Sequence, residues 1–125
     1  MDDKALFREA EKVLPYSYSP YSHFRVGAAL LLADGRVVTG VNIENASYPV
    51  GLCAERTAMA KAISQGDRDF VAIAIASDSE EAWPCGMCRQ FLYEFCPQIR
   101  VICGKDEDHL RTYTLQELLP EGFAL

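Results

Sequence analysis

A chain of 125 residues, half of them hydrophobic and 24% charged, has the composition of a folded protein and the length of one domain, 1–125. Eighteen acids against twelve bases give a net charge of −6, which argues against nucleic acid or anionic membrane as a partner. No apolar run reaches the roughly 20 residues of a membrane span. The acidic, amphipathic start MDDKALFREAEKVL is not a secretion signal, and five cysteines, an odd number, suit reduced thiols in the cytoplasm.

Leu6, Ala10, Val13 and Leu14 recur at helical spacing, which predicts an amphipathic helix over residues 3–14 ended near Pro15. YSYSPYSH follows as irregular chain. FRVGAALLLADGRVVTGVNI reads as two β-rich runs joined at Asp34-Gly35, a hairpin signal. Periodicity lapses from Glu44 to Gly51, as in a loop. LCAERTAMAKAIS then consists of helix formers, with Gly66 as the stop. FVAIAIAS from Phe70 is nearly all apolar and reads as a strand covered on both faces. DSEEAWP is a polar connection, CGMCRQFLYEF a core-facing helix stopped by Pro97, and RVICG a second buried strand. A short strand around Tyr113, a helical turn at LQELL and a tail carrying Phe123 complete the chain. The order predicts an α/β fold, a mixed β-sheet sandwiched between helices, with the strands at Phe70 and Arg100 parallel.

The chemistry concentrates in two helix starts. Cys85 and Cys88 form a P-C-x-x-C whose sulfurs project from one side of a first turn. Alone, that spacing fits a redox pair, half of a structural zinc site or chance. Cys53 opens the other helix, with Glu55 two residues on. Closed structural zinc sites have four protein ligands, and a fourth is missing here. Cys96 and Cys103 lie in apolar runs as small hydrophobes, and His23 and His109 lie in polar contexts. Three ligands with an open position is the pattern of catalytic zinc. The metal also removes the mutual penalty of a thiol beside a carboxylate, and Glu55 becomes a general acid/base within reach of water at the open position. A first-turn glutamate that merely complements the helix dipole is the plain alternative.

CAER followed at a distance by PCGMCRQ resembles the zinc-dependent nucleoside deaminases. SPYSHFRVGAAL, GVNIENASYPVGLCAERTA, PCGMCRQ and LLPEGF are similar, in order, to blocks of the short, homotetrameric cytidine deaminases, so the resemblance covers nearly the whole chain. It implies one cytidine deaminase-like catalytic domain over 1–125, a three-layer α/β/α fold and hydrolysis of cytidine and 2′-deoxycytidine to the uridine products and ammonia in pyrimidine salvage. It implies one Zn2+ per chain on Cys53, Cys85 and Cys88, with Glu55 shuttling protons. Phe24 would pack on the pyrimidine, Asn42 and Glu44 would bind the ribose hydroxyls, and the Ala54 N–H would bind the base carbonyl. Ala46 and Tyr48 match positions near a neighbouring subunit, Phe123 looks like the tail aromatic lent by another subunit of a homotetramer with shared sites, and Arg56 would donate to the thiolates. Two positions depart from the pattern. Trp83 precedes the P-C where a small hydroxylated residue is usual, though its carbonyl could still receive the leaving amine. Met87 replaces a smaller residue inside the clamp and is expected to pack in the core. A deaminase of antibiotic nucleosides is the nearest rival, and NIEN speaks against it. A non-catalytic zinc module is the rival from another class, and Glu55 beside an incomplete ligand set speaks against that.

Overall fold

The Asp34-Gly35 turn forms as the sequence requires. Gly35 takes φ +94°, a left-handed conformation open to glycine, and Asp34 Oδ1 accepts from the Arg36 N–H at 3.1 Å. The turn joins β1 (Val26–Leu32) to β2 (Val37–Val41), paired antiparallel from Gly27↔Val41 to Leu31↔Val37. The computed structural model describes residues 1–125. Its remaining elements are α1 (Asp3–Lys12), α2 (Ala54–Ser64), β3 (Phe70–Ser77), α3 (Gly86–Phe95), β4 (Arg100–Gly104), β5 (Leu110–Thr114) and α4 (Leu115–Leu118).

The five strands lie in the order β2-β1-β3-β4-β5. Only β3 and β4 are parallel, Ala72↔Arg100 to Ile75↔Cys103, because α3 carries the chain back across the sheet between them; the other pairs are antiparallel. Alternation sorts the central strands into two faces. Ala29, Leu31, Ala72, Ala74 and Ala76 pack against Leu6, Phe7 and Ala10 of α1. Ala28, Leu30, Ile73, Ile75 and Val101 pack against α2 and α3, through residues such as Met59 and Leu92. Each large aliphatic side chain buried this way contributes about 1.5–3 kcal/mol. The sheet is thus sandwiched between helices, as its near-continuous apolar strands require.

Some boundaries differ from those read in the sequence. α1 closes at Lys12, and Leu14–Tyr16 turns as a separate 3₁₀ segment around Pro15. α2 and α3 each begin one residue after a cysteine, so that Cys53 and Cys85 are the N-cap residues and neither side chain caps its own helix. Their sulfurs are therefore free to converge.

Gly40 lets α2 seat directly on the sheet. A Cβ there would lie 2.6 Å from the Ala54 carbonyl oxygen, closer than packed atoms allow. Ala54, Ala58 and Ala62 complete this tight face, all fully buried. The first turn of α2, which carries Cys53 and Glu55, is fixed to β2 by that contact.

Candidate metal centre and substrate cleft

Three sulfurs meet where the two helix starts converge. The Sγ atoms of Cys53, Cys85 and Cys88 all lie within 4.8 Å of one another, Cys53 to Cys85 at 3.9 Å and Cys85 to Cys88 at 3.4 Å. None of the five cysteines is in a disulfide. A tetrahedral zinc, with Zn–S of about 2.3 Å, sets its sulfurs about 3.8 Å apart, so the trio fits zinc without rearrangement. Burial differs across the set. Cys88 is enclosed, Cys53 is half-buried and Cys85 is exposed, which gives the trio an inner and an outer side.

The electrostatics favour a thiolate at Cys53. The Cys53 thiol is lowered to about 6, chiefly by its contact with the Cys88 thiol and against the cost of burial, with Cys85 and the Arg56 cation helping. Cys88 is pushed up by the same pairing. Arg56 donates from Nη2 to the Gly51 carbonyl at 2.8 Å, while its Nε–H is buried without an acceptor. A thiolate-rich ligand set beside that group is the partner its chemistry calls for.

Glu55 is 4% exposed. Burial pushes its carboxyl up to about 7, with the Cys53 charge adding to the rise and its own backbone N–H and Arg56 opposing it. A carboxyl at that level can both accept and release a proton near neutral pH.

Cys53, Cys85 and Glu55 border an open cleft of about 770 Å³, with Cys88 buried behind them. The chain returns to its rim because Ile43 pairs with Leu52 through two hydrogen bonds of 2.9 Å, which sets Asn42 and Glu44 beside Cys53. Phe24, Asn42, Glu44, Tyr48, Ala54 and Arg56 all border it. The Asn42 amide is largely committed: Nδ2 donates to Phe24 O at 2.7 Å, and Oδ1 accepts from Val26 N–H at 3.0 Å and from Ser17. Glu44 accepts from the Tyr21 and Ser22 N–H groups at 2.9 and 3.1 Å and from the Ser22 hydroxyl. The Ser22 hydroxyl is the main reason its carboxyl lies below the usual range. Ala54 is the first residue of α2, so its N–H has no acceptor within the helix.

Ala46 and Phe123 are exposed and lie outside the cleft of their own chain. Met87 does not pack in the core: it is 64% exposed and borders the cleft. With both sulfurs of the C-x-x-C turned to one side of the helix start, the residue between them faces out.

Two residues of the motif were given no role from the sequence. Arg89 donates to Pro84 O at 2.8 Å and to Leu118 O at 2.6 Å, so it braces the chain just before Cys85 against α4. Gln90 donates to Phe123 O at 2.8 Å and holds the tail. The signal for Arg89 is its position, since a cation in a helix's first turn opposes the dipole and needs strong local acceptors.

Comparison with known proteins agrees with this geometry. The cytidine and deoxycytidylate deaminase zinc-binding region matches residues 1–105. The chain is 49% identical to a cytidine deaminase of Halalkalibacterium halodurans over 99% of its length and 96% of that protein. It is 44% identical to a cytidine deaminase of Sporosarcina psychrophila, covering 99% of this chain and 93% of the other. The crystal structure of a cytidine deaminase from Burkholderia pseudomallei superposes with a TM-score of 0.92 at 40% identity, over 98% of this chain and all of that one.

Proposed function

Because the chain belongs to the cytidine and deoxycytidylate deaminase zinc-binding family, we propose that its cleft takes free cytidine and 2′-deoxycytidine and that Glu55 moves the protons of their hydrolysis. The protein is a zinc-dependent hydrolytic deaminase, and cytidine plus water gives uridine plus ammonia, a reaction consistent with pyrimidine salvage. The observation that carries this reading is the juxtaposition of three mutually close sulfurs with a buried glutamate at one end of an open cleft.

Cys53, Cys85 and Cys88 would hold one zinc. When bound, the metal supplies a Lewis acid that brings the ionisation of water toward neutral pH. Glu55 Oε accepts a proton from the attacking water and delivers it to ring nitrogen 3, which makes carbon 4 electrophilic. The same carboxyl then takes the remaining proton of the hydroxyl added at carbon 4 and gives it to the departing amine, so the C4 carbonyl forms, ammonia leaves and Glu55 ends as the carboxylate it began as. The Ala54 N–H receives the base carbonyl, and Phe24 offers its ring to the pyrimidine. Asn42 has one N–H left after its bond to Phe24. Glu44 has one acceptor position left, because three of the about four on a carboxylate are used. One donor and one acceptor answer the two ribose hydroxyls.

Charge selects nucleoside over nucleotide. Glu44, Glu55 and Glu80 border the cleft without a cation paired to them, and Arg56, its one basic residue, already donates to Gly51. A 5′-phosphate would enter against net negative charge. In an ultraviolet assay with zinc-loaded protein, cytidine should be consumed with kcat/KM at least about tenfold above that for cytidine 5′-monophosphate. Equal or better use of the nucleotide would contradict this assignment of the cleft.

Self-association into a homotetramer with shared sites belongs to the same proposal. Exposed apolar side chains border the cleft, Tyr21, Ile43, Tyr48, Leu52 and Met87, a surface suited to a second copy. Action in the cytoplasm is supported by five unpaired thiols, and no helix is long and apolar enough to cross a membrane. If Phe123 completes a neighbour's cleft, Phe123→Ala should raise KM, and mixing it with Glu55→Gln should restore turnover in hybrids that pair an intact Glu55 with an intact Phe123. No recovery, with hybrids verified by native mass spectrometry, would count against shared sites.

A further inference from the structure

The loop from Asp78 to Pro84, between β3 and α3, forms one wall of the cleft and runs directly into the ligand Cys85. Arg25 Nε donates to Asp78 Oδ2 at 2.6 Å and anchors its start. The cleft side is anchored by β5. Arg111 donates to both carboxylate oxygens of Glu81, from Nε at 3.2 Å and from Nη2 at 2.9 Å. The same guanidinium lies 5.2 Å from the centre of the Trp83 ring. Tyr113, two residues along β5 and so on the same face, sets its ring 5.5 Å from Trp83, tilted by 55°.

We propose that Arg111 is a positioning residue for nucleoside binding: with Tyr113 it latches the Glu81–Trp83 segment to β5 and so sets the wall of the cleft that leads into Cys85. The inference rests on the cleft being the nucleoside site.

Three features support the latch. Arg111 and Tyr113 are exposed residues on an edge strand, so the core does not account for them. A two-point guanidinium–carboxylate contact fixes direction as well as distance, and an aromatic face beneath the guanidinium adds a second restraint on the same group. The contact also neutralises Glu81, whose carboxyl lies below the usual range chiefly because of Arg111, with a smaller contribution from the Trp83 indole N–H. Without Arg111, an unpaired anion would stand at the rim beside a ring that has lost one of its restraints. The Trp83 side chain is the bulky departure from the family pattern; one part of it packs against the core and the rest against Arg111 and Tyr113.

Trp83 is the only tryptophan in the chain, so its emission reports on the latch directly. In zinc-loaded Arg111→Gln, zinc should remain at one per chain and kcat should stay within about twofold, while KM for cytidine rises about three- to tenfold, the scale an exposed ion pair and a cation–π contact reach together. Trp83 emission should shift to the red. Glu81→Gln should reproduce the rise in KM, and Arg111→Lys, which keeps the cation but loses the fork, should fall between parent and Arg111→Gln. An unchanged KM in Arg111→Gln would overturn the proposal. So would loss of zinc with a fall in kcat, which would make Arg111 a support of the metal centre instead. Turnover of cytidine by the parent protein checks the cleft assignment separately from these comparisons.

Discussion

Glu55→Gln should leave the fold and the zinc in place and remove most of kcat. The amide has the volume and shape of the carboxyl it replaces, so the buried position at the start of α2 is not disturbed. Its pKa, however, gives it no proton to exchange. General acid–base groups contribute about 10²–10⁴-fold to a rate, or about 2.7–5.5 kcal/mol of barrier. In the proposed mechanism Glu55 serves more than one proton transfer, so the loss should fall at the upper end of that range. The effect should be on kcat rather than KM, because the proton transfers develop in the transition state. The amide also escapes the cost of burying a carboxylate. That cost is absent below the ordinary glutamate value and complete above the folded value near 7, so in the metal-free state the melting temperature of the variant at pH 8 should equal or exceed the parent's. Activity within tenfold of the parent, with zinc retained, would assign the shuttle to another group.

Cys88→Ala should lose both metal and turnover, whereas Cys103→Ala should lose neither. The two cysteines make a matched pair: both are fully buried, and both substitutions remove a single sulfur. Only Cys88 belongs to the sulfur trio. Loss of a partner that merely orients a ligand costs about 10–100-fold in metal affinity, so loss of a ligand should cost more. Cys103 sits on β4 with its thiol pushed far up by burial, which makes it a poor source of thiolate and an inert packing group. Both variants should show a similar modest loss of thermal stability in the metal-free state, since each leaves a small cavity. Equal zinc content in the two, measured by inductively coupled plasma spectrometry, would break the ligand assignment.

The parts of this account legible in the sequence are those with a short period or a fixed offset. The apolar runs at Phe70 and Arg100 declared themselves as covered strands, and the structure places them side by side and parallel. The C-x-x-C offset put two sulfurs on one helix face, and Cys53 at a second helix start completed the trio because both helices begin just after a cysteine. Met87 is exposed, not packed in the core as its sequence context suggests, for the same geometric reason, since turning two cysteines to one side of the helix start turns the residue between them away. The bracing by Arg89 was not legible, because its acceptors are backbone carbonyls, one of them 29 residues away. The latch on Trp83 was illegible too. Glu81 and Arg111 lie 30 residues apart on polar stretches with no periodicity, and only the pairing of β4 with β5 brings them together. Ala46 and Phe123 lie outside their own chain's cleft, and their roles rest on a second copy.

Titration of metal-free protein with zinc tests the central claim, that one metal held by Cys53, Cys85 and Cys88 makes this cleft a cytidine deaminase. Cytidine turnover should be absent at the start, rise in proportion to added zinc, and level off at one zinc per chain. Full turnover without metal, or no turnover once one zinc per chain is bound, would contradict it.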